Sequence, residues 1–392
     1  TLAAAANTAG VVTVNAAAGN ASTINVSGYT ITGVAITTNL GNDTITGGGG
    51  ADNISTGAGI DTITGGAGND TFTFAAGSSG LASADTVDGG TGTDAVILTG
   101  NTAVSVTNFN NVKNIEGITL ENTTTDVTII TKETLVAAGA TLTFQASSLT
   151  TGALTFIGSA ETDGAFNITS GAGEDFIAGG AGNDIVAGGA GNDEITGDAG
   201  NDTITGGAGA DTITLGSDDN TRQTVIYSSA ADGAAAGANS GFDTIITTPF
   251  DANANDATDD LIQIAGALKT AVDDDADGVL DYSASNGTDG GNQAIVGGAN
   301  QEATVLIDAE VGLVLADFTA PGLANVLAEL GEEINFTGIA TGQEHLFLIN
   351  FSATETALVM YTAGIGGDDT IVATDIQVLG IVTHNDGTNL VA

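Results

Sequence analysis

Residues 170–214 read SGAGEDFIA, GGAGNDIVA, GGAGNDEIT, GDAGNDTIT, GGAGADTIT. These five nonapeptides share the form G-G-x-G-x-D-x-U-x, where U is a large apolar residue. Their aspartates, Asp175, Asp184, Asp193, Asp202 and Asp211, recur every nine residues. A fixed short period predicts a solenoid, in which each repeat is one small structural unit stacked on its neighbours. The glycines allow positive φ, so the first six residues can turn tightly. The last three then form a short strand. Side chains alternate along a strand, which aims Ile177, Val186, Ile195, Ile204 and Ile213 inward.

Two nonapeptides complete one coil, and coils stack at roughly the 4.7–4.9 Å spacing of paired strands. Turns two repeats apart then lie above one another. Asp175, Asp193 and Asp211 form one edge, and Asp184 and Asp202 the other. Carboxylates stacked so closely repel, and no basic residue lies in the block. A hard cation resolves the repulsion. Calcium takes roughly six to eight oxygens in flexible geometry, whereas magnesium demands a tight octahedron and keeps its waters. One aliphatic file of three-residue strands buries little area, so the ion is expected to act as structural glue.

An earlier block repeats the pattern: NLGNDTIT, GGGGADNIS, TGAGIDTIT and GGAGNDTFT, with Asp43, Asp52, Asp61 and Asp70. Its inward residues are Ile45, Ile54, Ile63 and Phe72, and its stacked pairs are Asp43 with Asp61 and Asp52 with Asp70. The motif recurs once in DTVDGGTGTDAVIL, with Asp94 as ligand and Val96 inward, an isolated turn to which Asp85 and Asp88 can add.

On these ten in-register repeats the chain resembles the RTX family of bacterial proteins exported by the type I pathway. The resemblance implies an all-β parallel β-roll with a calcium ion between each turn and the turn two repeats on. The ligands it implies are the ten repeat aspartates and carbonyls around Gly48, Gly50, Gly57, Gly59, Gly66, Gly68, Gly180, Gly182, Gly189, Gly191, Gly200, Gly207 and Gly209. Two repeats depart from the pattern: Asp198 replaces a second glycine and Ser170 a first. Neither change abolishes a site, though Asp198 alters local geometry.

With 392 residues, two or three structural units are expected. The net charge of −44, from 48 acidic and four basic residues, excludes nucleic acid as a partner and repels anionic membranes. Such imbalance often means disorder, but the apolar fraction of 42% and the regular spacing argue for a fold ordered by calcium. The absence of cysteine rules out disulfides and thiolate metal sites. No segment reaches the ~20 apolar residues of a membrane span. Thr1 is not a start methionine, and the chain is expected to be part of a longer polypeptide.

Residues 1–37 read as strands leading into the solenoid, and 38–98 as the first roll. Residues 99–169 read as irregular, metal-free β-helix coils, with a separate inserted domain as the alternative. Residues 170–219 form the second roll. From 220 to 392 the strands lengthen, with one helix expected at Pro321–Leu330. This part resembles the β-rich cap of RTX proteins, and its tail their secretion signal. Asp273, Asp275 and Asp277, followed by Gly278, reproduce the first half of an EF-hand calcium loop, but Ala284 stands where the bidentate Glu belongs. A solvated acidic turn is the other reading.

Catalysis finds no support in the motifs. The sequence contains no H-E-x-x-H, no G-x-S-x-G and no phosphate loop with G-K-[ST], and its two histidines, His345 and His384, stand apart. The chain further resembles the assembling part of surface-layer proteins: rich in Thr, Ala, Gly and Asn, and poor in lysine. That resemblance implies a homo-oligomeric lattice or fibre on the bacterial surface, export by type I machinery, and an envelope anchor outside this stretch. The alternatives are the C-terminal module of a secreted hydrolase and the end of a large RTX adhesin.

Overall fold

The computed structural model describes residues 12–16, 21–30, 33–75, 80–99, 109–121, 124–133, 135–217, 223–228, 232 and 243–248. Further on it describes the strands 261–264, 282–286, 293–294, 303–307, 334–335, 344–352, 355–362 and 376–383. Among these residues every regular element is a β-strand. The helix expected at Pro321–Leu330 and the loop at Asp273–Asp277 lie outside the described residues. The fold is an all-β parallel solenoid, and it divides into two units, 1–189 with 198–200, and 190–197 with 201–392.

In the first unit one sheet runs through Val12–Asn15, Val34–Thr37, Asn53–Ser55, Thr71–Ala75, Ala95–Thr99, Gly117–Glu121, Thr141–Gln145, Ala165–Thr169 and Ile185–Ala190, all parallel. Alternate strands make the other walls: Thr23–Asn25, Thr44–Thr46, Thr62–Ala67, Thr86–Thr91 and Val112–Lys113 in one, Val127–Ile130, Leu154–Ile157 and Phe176–Gly180 in another. Each strand therefore pairs with the next but one in sequence, as a two-sided coil requires.

Register holds the apolar files in place. Ile36, Ile54, Phe72, Val96 and Ile118 stack on one wall and Ile24, Ile45, Ile63 and Val87 on the other. A slip of one residue would turn the whole file to solvent. The inward residues of both repeat blocks are at most 1% exposed, among them Ile45, Phe72, Val96, Ile177 and Ile213.

Between the blocks, where the nonapeptide is lost, coils continue with a different filling. Phe144, Phe156 and Phe166 are buried, and consecutive rings lie 5.1 Å apart in tilted and edge-on contacts. Aromatic area adds to the burial that holds these coils together.

In the second unit Glu194–Asp198, Thr212–Ser217, Asp243–Thr248 and Ile376–Thr383 form a parallel run. The sheet then turns antiparallel through Glu355–Thr362 to Glu344–Ser352, long strands unlike those of the coils. Thr203–Ala208, Thr224–Tyr227 and Leu261–Ile264 form the facing parallel sheet.

Candidate metal centre

Asp and U are two apart in the repeat, so strand alternation places both on the inner side. Asp43, Asp52, Asp61, Asp70 and Asp94 are accordingly 1–2% exposed, as are Asp175, Asp184, Asp193, Asp202 and Asp211. Each carboxylate reaches back one coil. Oδ1 of Asp61 accepts the N–H of Asp43 at 2.9 Å, and Oδ1 of Asp70 that of Asp52 at 2.8 Å, both across 18 residues. Asp85 and Asp94 continue these ladders across 24 residues, accepting from Asp61 at 2.8 Å and Asp70 at 2.7 Å. In the second unit Oδ1 of Asp211 accepts from Asp193 at 2.9 Å. At the head of the second block Asp175 and Asp184 accept from Leu154 and Phe166.

At several positions the other carboxylate oxygen is left over, whereas Oδ2 of Asp52 accepts the Gly48 N–H at 2.7 Å. Oδ2 of Asp43, Asp70, Asp94 and Asp211 is buried with no hydrogen-bond partner. Burial pushes the Asp70 carboxyl up to about 7, against the hydrogen bond from Asp52 and with help from the charges of Asp52 and Asp94. Burial likewise raises Asp211 to about 6, and raises Asp52, Asp61, Asp94 and Asp175. A buried, unpaired carboxylate oxygen repeated coil after coil is unfavourable unless a cation or a proton compensates.

The glycines explain how the oxygens gather. At Gly65, a Cβ would lie 2.2 Å from Oδ2 of its own repeat's Asp70 and 2.5 Å from the Gly89 carbonyl oxygen, so the first glycine leaves room for the carboxylate. Where a hydroxyl residue replaces it, the hydroxyl meets that carboxylate: Ser170 Oγ donates to Asp175 Oδ2. At Gly209, with φ +147, a Cβ would fall 1.6 Å from the Gly191 carbonyl oxygen. The same close stacking puts Gly66 on the Gly48 carbonyl and Gly200 on that of Gly182. The turns thus bring carbonyl and carboxylate oxygens together, the donor set that suits calcium.

Asp198 takes φ 67 in place of a second glycine, a left-handed conformation Asp tolerates through its short polar side chain. Asp198→Gly is therefore expected to shift stability by no more than about 1 kcal/mol. Gly209→Ala is expected to lose about 2–3 kcal/mol in calcium, since overpacking and a disfavoured φ add. Thermal unfolding of the two variants side by side checks the contrast.

Some members of the ladders carried no nonapeptide signal. The motif at Asp94 is not isolated, because its coil stacks on the first block through Asp85 and Asp94. Asp88 faces outward and is ion-paired to Lys113 at 2.8 Å. Glu116 occupies the next ladder position, Oε2 accepting from Asp94 N–H at 2.6 Å. In the second unit Asp243 accepts from Asp211 at 2.9 Å across 32 residues, and Gln223 precedes Thr224, the partner of Thr203. The triplets Asp85-Thr86-Val87 and Asp243-Thr244-Ile245 echo the repeat's Asp-Thr-Ile and were the available signal.

These stacked acidic turns define a calcium-binding parallel β-roll. Residues 36–62, 46–81, 79–96, 167–195 and 187–221 match the family model of the RTX calcium-binding nonapeptide repeat. The two blocks are repeats of that kind and bind calcium in multiple turns, a structural rather than catalytic role. No curated protein matches the chain.

Asp70→Asn separates ligand from ladder. The amide oxygen can still accept the Asp52 N–H, but the charge is gone. In calcium the variant is expected to be less stable by about 1–3 kcal/mol, and in chelator more stable by a similar amount, because a buried uncompensated charge has been removed. Denaturant titrations with and without calcium read both signs.

Proposed function

We propose that this chain is a structural, calcium-dependent protein of the bacterial cell surface that self-assembles into a surface-layer-like lattice or fibre. It is exported unfolded by type I machinery, and extracellular calcium then folds it. The observation that carries the reading is the pair of ladders in which Oδ2 of Asp43, Asp70, Asp94 and Asp211 is buried without a hydrogen-bond partner, where an ion would supply one. At the low calcium inside a cell these carboxylates oppose folding, which keeps the chain competent for export. Outside, the same groups drive it to order.

The ions are assigned to the ten repeat aspartates and the glycine-turn carbonyls, with Asp85 and Asp243 extending the ladders. A net charge of −44 makes neighbouring copies repel until cations intervene, so calcium also gates assembly. Extracellular localisation follows from the ion's availability there. Negative-stain microscopy and sedimentation of the purified chain, with and without millimolar calcium, test the proposal. Sheets or fibres in calcium that dissolve in chelator are expected. A chain that stays monomeric at high calcium would instead be a folding module or adhesin end of a larger secreted protein.

A further inference from the structure

The coils between the blocks carry an acidic cluster outside every nonapeptide. One ligand oxygen from each of Glu133, Glu161 and Asp163 lies within 4.8 Å of the others. Glu133 and Asp163 are exposed, whereas Glu161 is wholly buried. Glu161 Oε1 accepts the Gly164 N–H at 3.1 Å, which closes the turn before Ala165–Thr169. Oε2 is buried and has no hydrogen-bond partner, while the backbone N–H groups of Gly164, Asp163 and Val136 all favour the charged carboxylate. Glu133 is held in place by the Thr162 hydroxyl, which donates to its Oε1 at 2.7 Å from the turn one coil on. Asp163 also lines a cleft of about 380 Å³ beside Gly139, Gly164 and Gly182.

We propose that Glu133, Glu161 and Asp163 bind one further calcium ion, stapling two successive coils of the segment between the repeat blocks. The donors are all oxygens, which excludes the softer metals that prefer nitrogen or sulfur. Two of the three carboxylates are on the surface, so water completes the coordination, as the flexible geometry of calcium allows. A turn cap alone would need one oxygen, and a glutamine would provide it without setting a buried charge against two others. The unused, buried Oε2 is what a cap leaves unexplained. This site stands apart from the assembly proposed above: it can be occupied whether or not a lattice forms.

The test is made on the full chain, with the double variant Glu133→Gln/Asp163→Asn, whose side chains are exposed, and with Glu161→Gln. Metal content at saturating calcium is expected to fall by one ion per chain in either variant. Calcium should slow hydrogen exchange in 129–140 and 158–166 of the parent chain and not of the variants, while still slowing it in 41–70 and 182–190 of all. In chelator, Glu161→Gln is expected to melt higher than the parent. An unchanged ion count overturns the proposal. So does calcium-dependent protection of these segments that survives the substitutions, or equal protection by magnesium at the same concentration.

Discussion

In excess chelator at pH 8 the repeat blocks are expected to lose their strand signal, and acidifying the same sample to pH 5 is expected to restore much of it. Without the ion, Oδ2 of residues such as Asp70 and Asp211 is buried and unpaired. Burial raises Asp70 to about 7 and Asp211 to about 6. Asp243 rises to about 8, through burial first and the neighbouring charge of Asp211 next. In the unfolded chain these groups titrate near 3.8, the ordinary value for an aspartate.

Between these limits the folded state holds more protons than the unfolded one, so stability falls as pH rises. The contribution is complete below about pH 4 and is lost progressively as pH passes 6, 7 and 8 in turn. A proton thus substitutes for the ion. With calcium present the trend reverses, because protons compete with calcium for the same carboxylates. Far-UV circular dichroism across pH 4–9, in calcium and in chelator, reads both trends. Spectra unchanged by chelator at pH 8 would remove the ion from any role in folding.

Phe156→Ala is expected to destabilise the chain by about 3–5 kcal/mol, the range for truncating a large buried aromatic. Phe156 is fully buried and touches Phe144 on one side and Phe166 on the other, each 5.1 Å between ring centres. The substitution opens a cavity and breaks both ring contacts at once. Its effect should be the same size in calcium as in chelator, since apolar area, not charge, is lost. Hydrogen exchange of 141–169 should quicken first. A loss that appears only in chelator would show that the rings matter only where no ion holds these coils.

The two expectations mark what the sequence could and could not disclose. A nine-residue period sufficed to read the coil, the inward Ile and Val positions and the pairing of Asp43 with Asp61, because the same spacing sets both sequence and stacking. Where coils lengthen to 24 or 32 residues the stacking persists and the period does not. Asp243, marked only by its Asp-Thr-Ile triplet, and Glu116 therefore fell outside the period, though each accepts the same backbone hydrogen bond as its predecessors. The phenylalanine file was equally hidden. Its members come from facing sheets, and their register depends on turn lengths that no local pattern encodes.

The backward reach of each ladder carboxylate gives the stack a direction. Asp70 serves the amide of Asp52, and Asp94 in turn serves Asp70. Shortening the molecule from its two ends is therefore not equivalent. Removing later coils uncovers amides, which water solvates readily, whereas removing earlier coils strands anions that have lost their donors. Growth of ordered structure should accordingly run more easily in one sense along the chain than in the other.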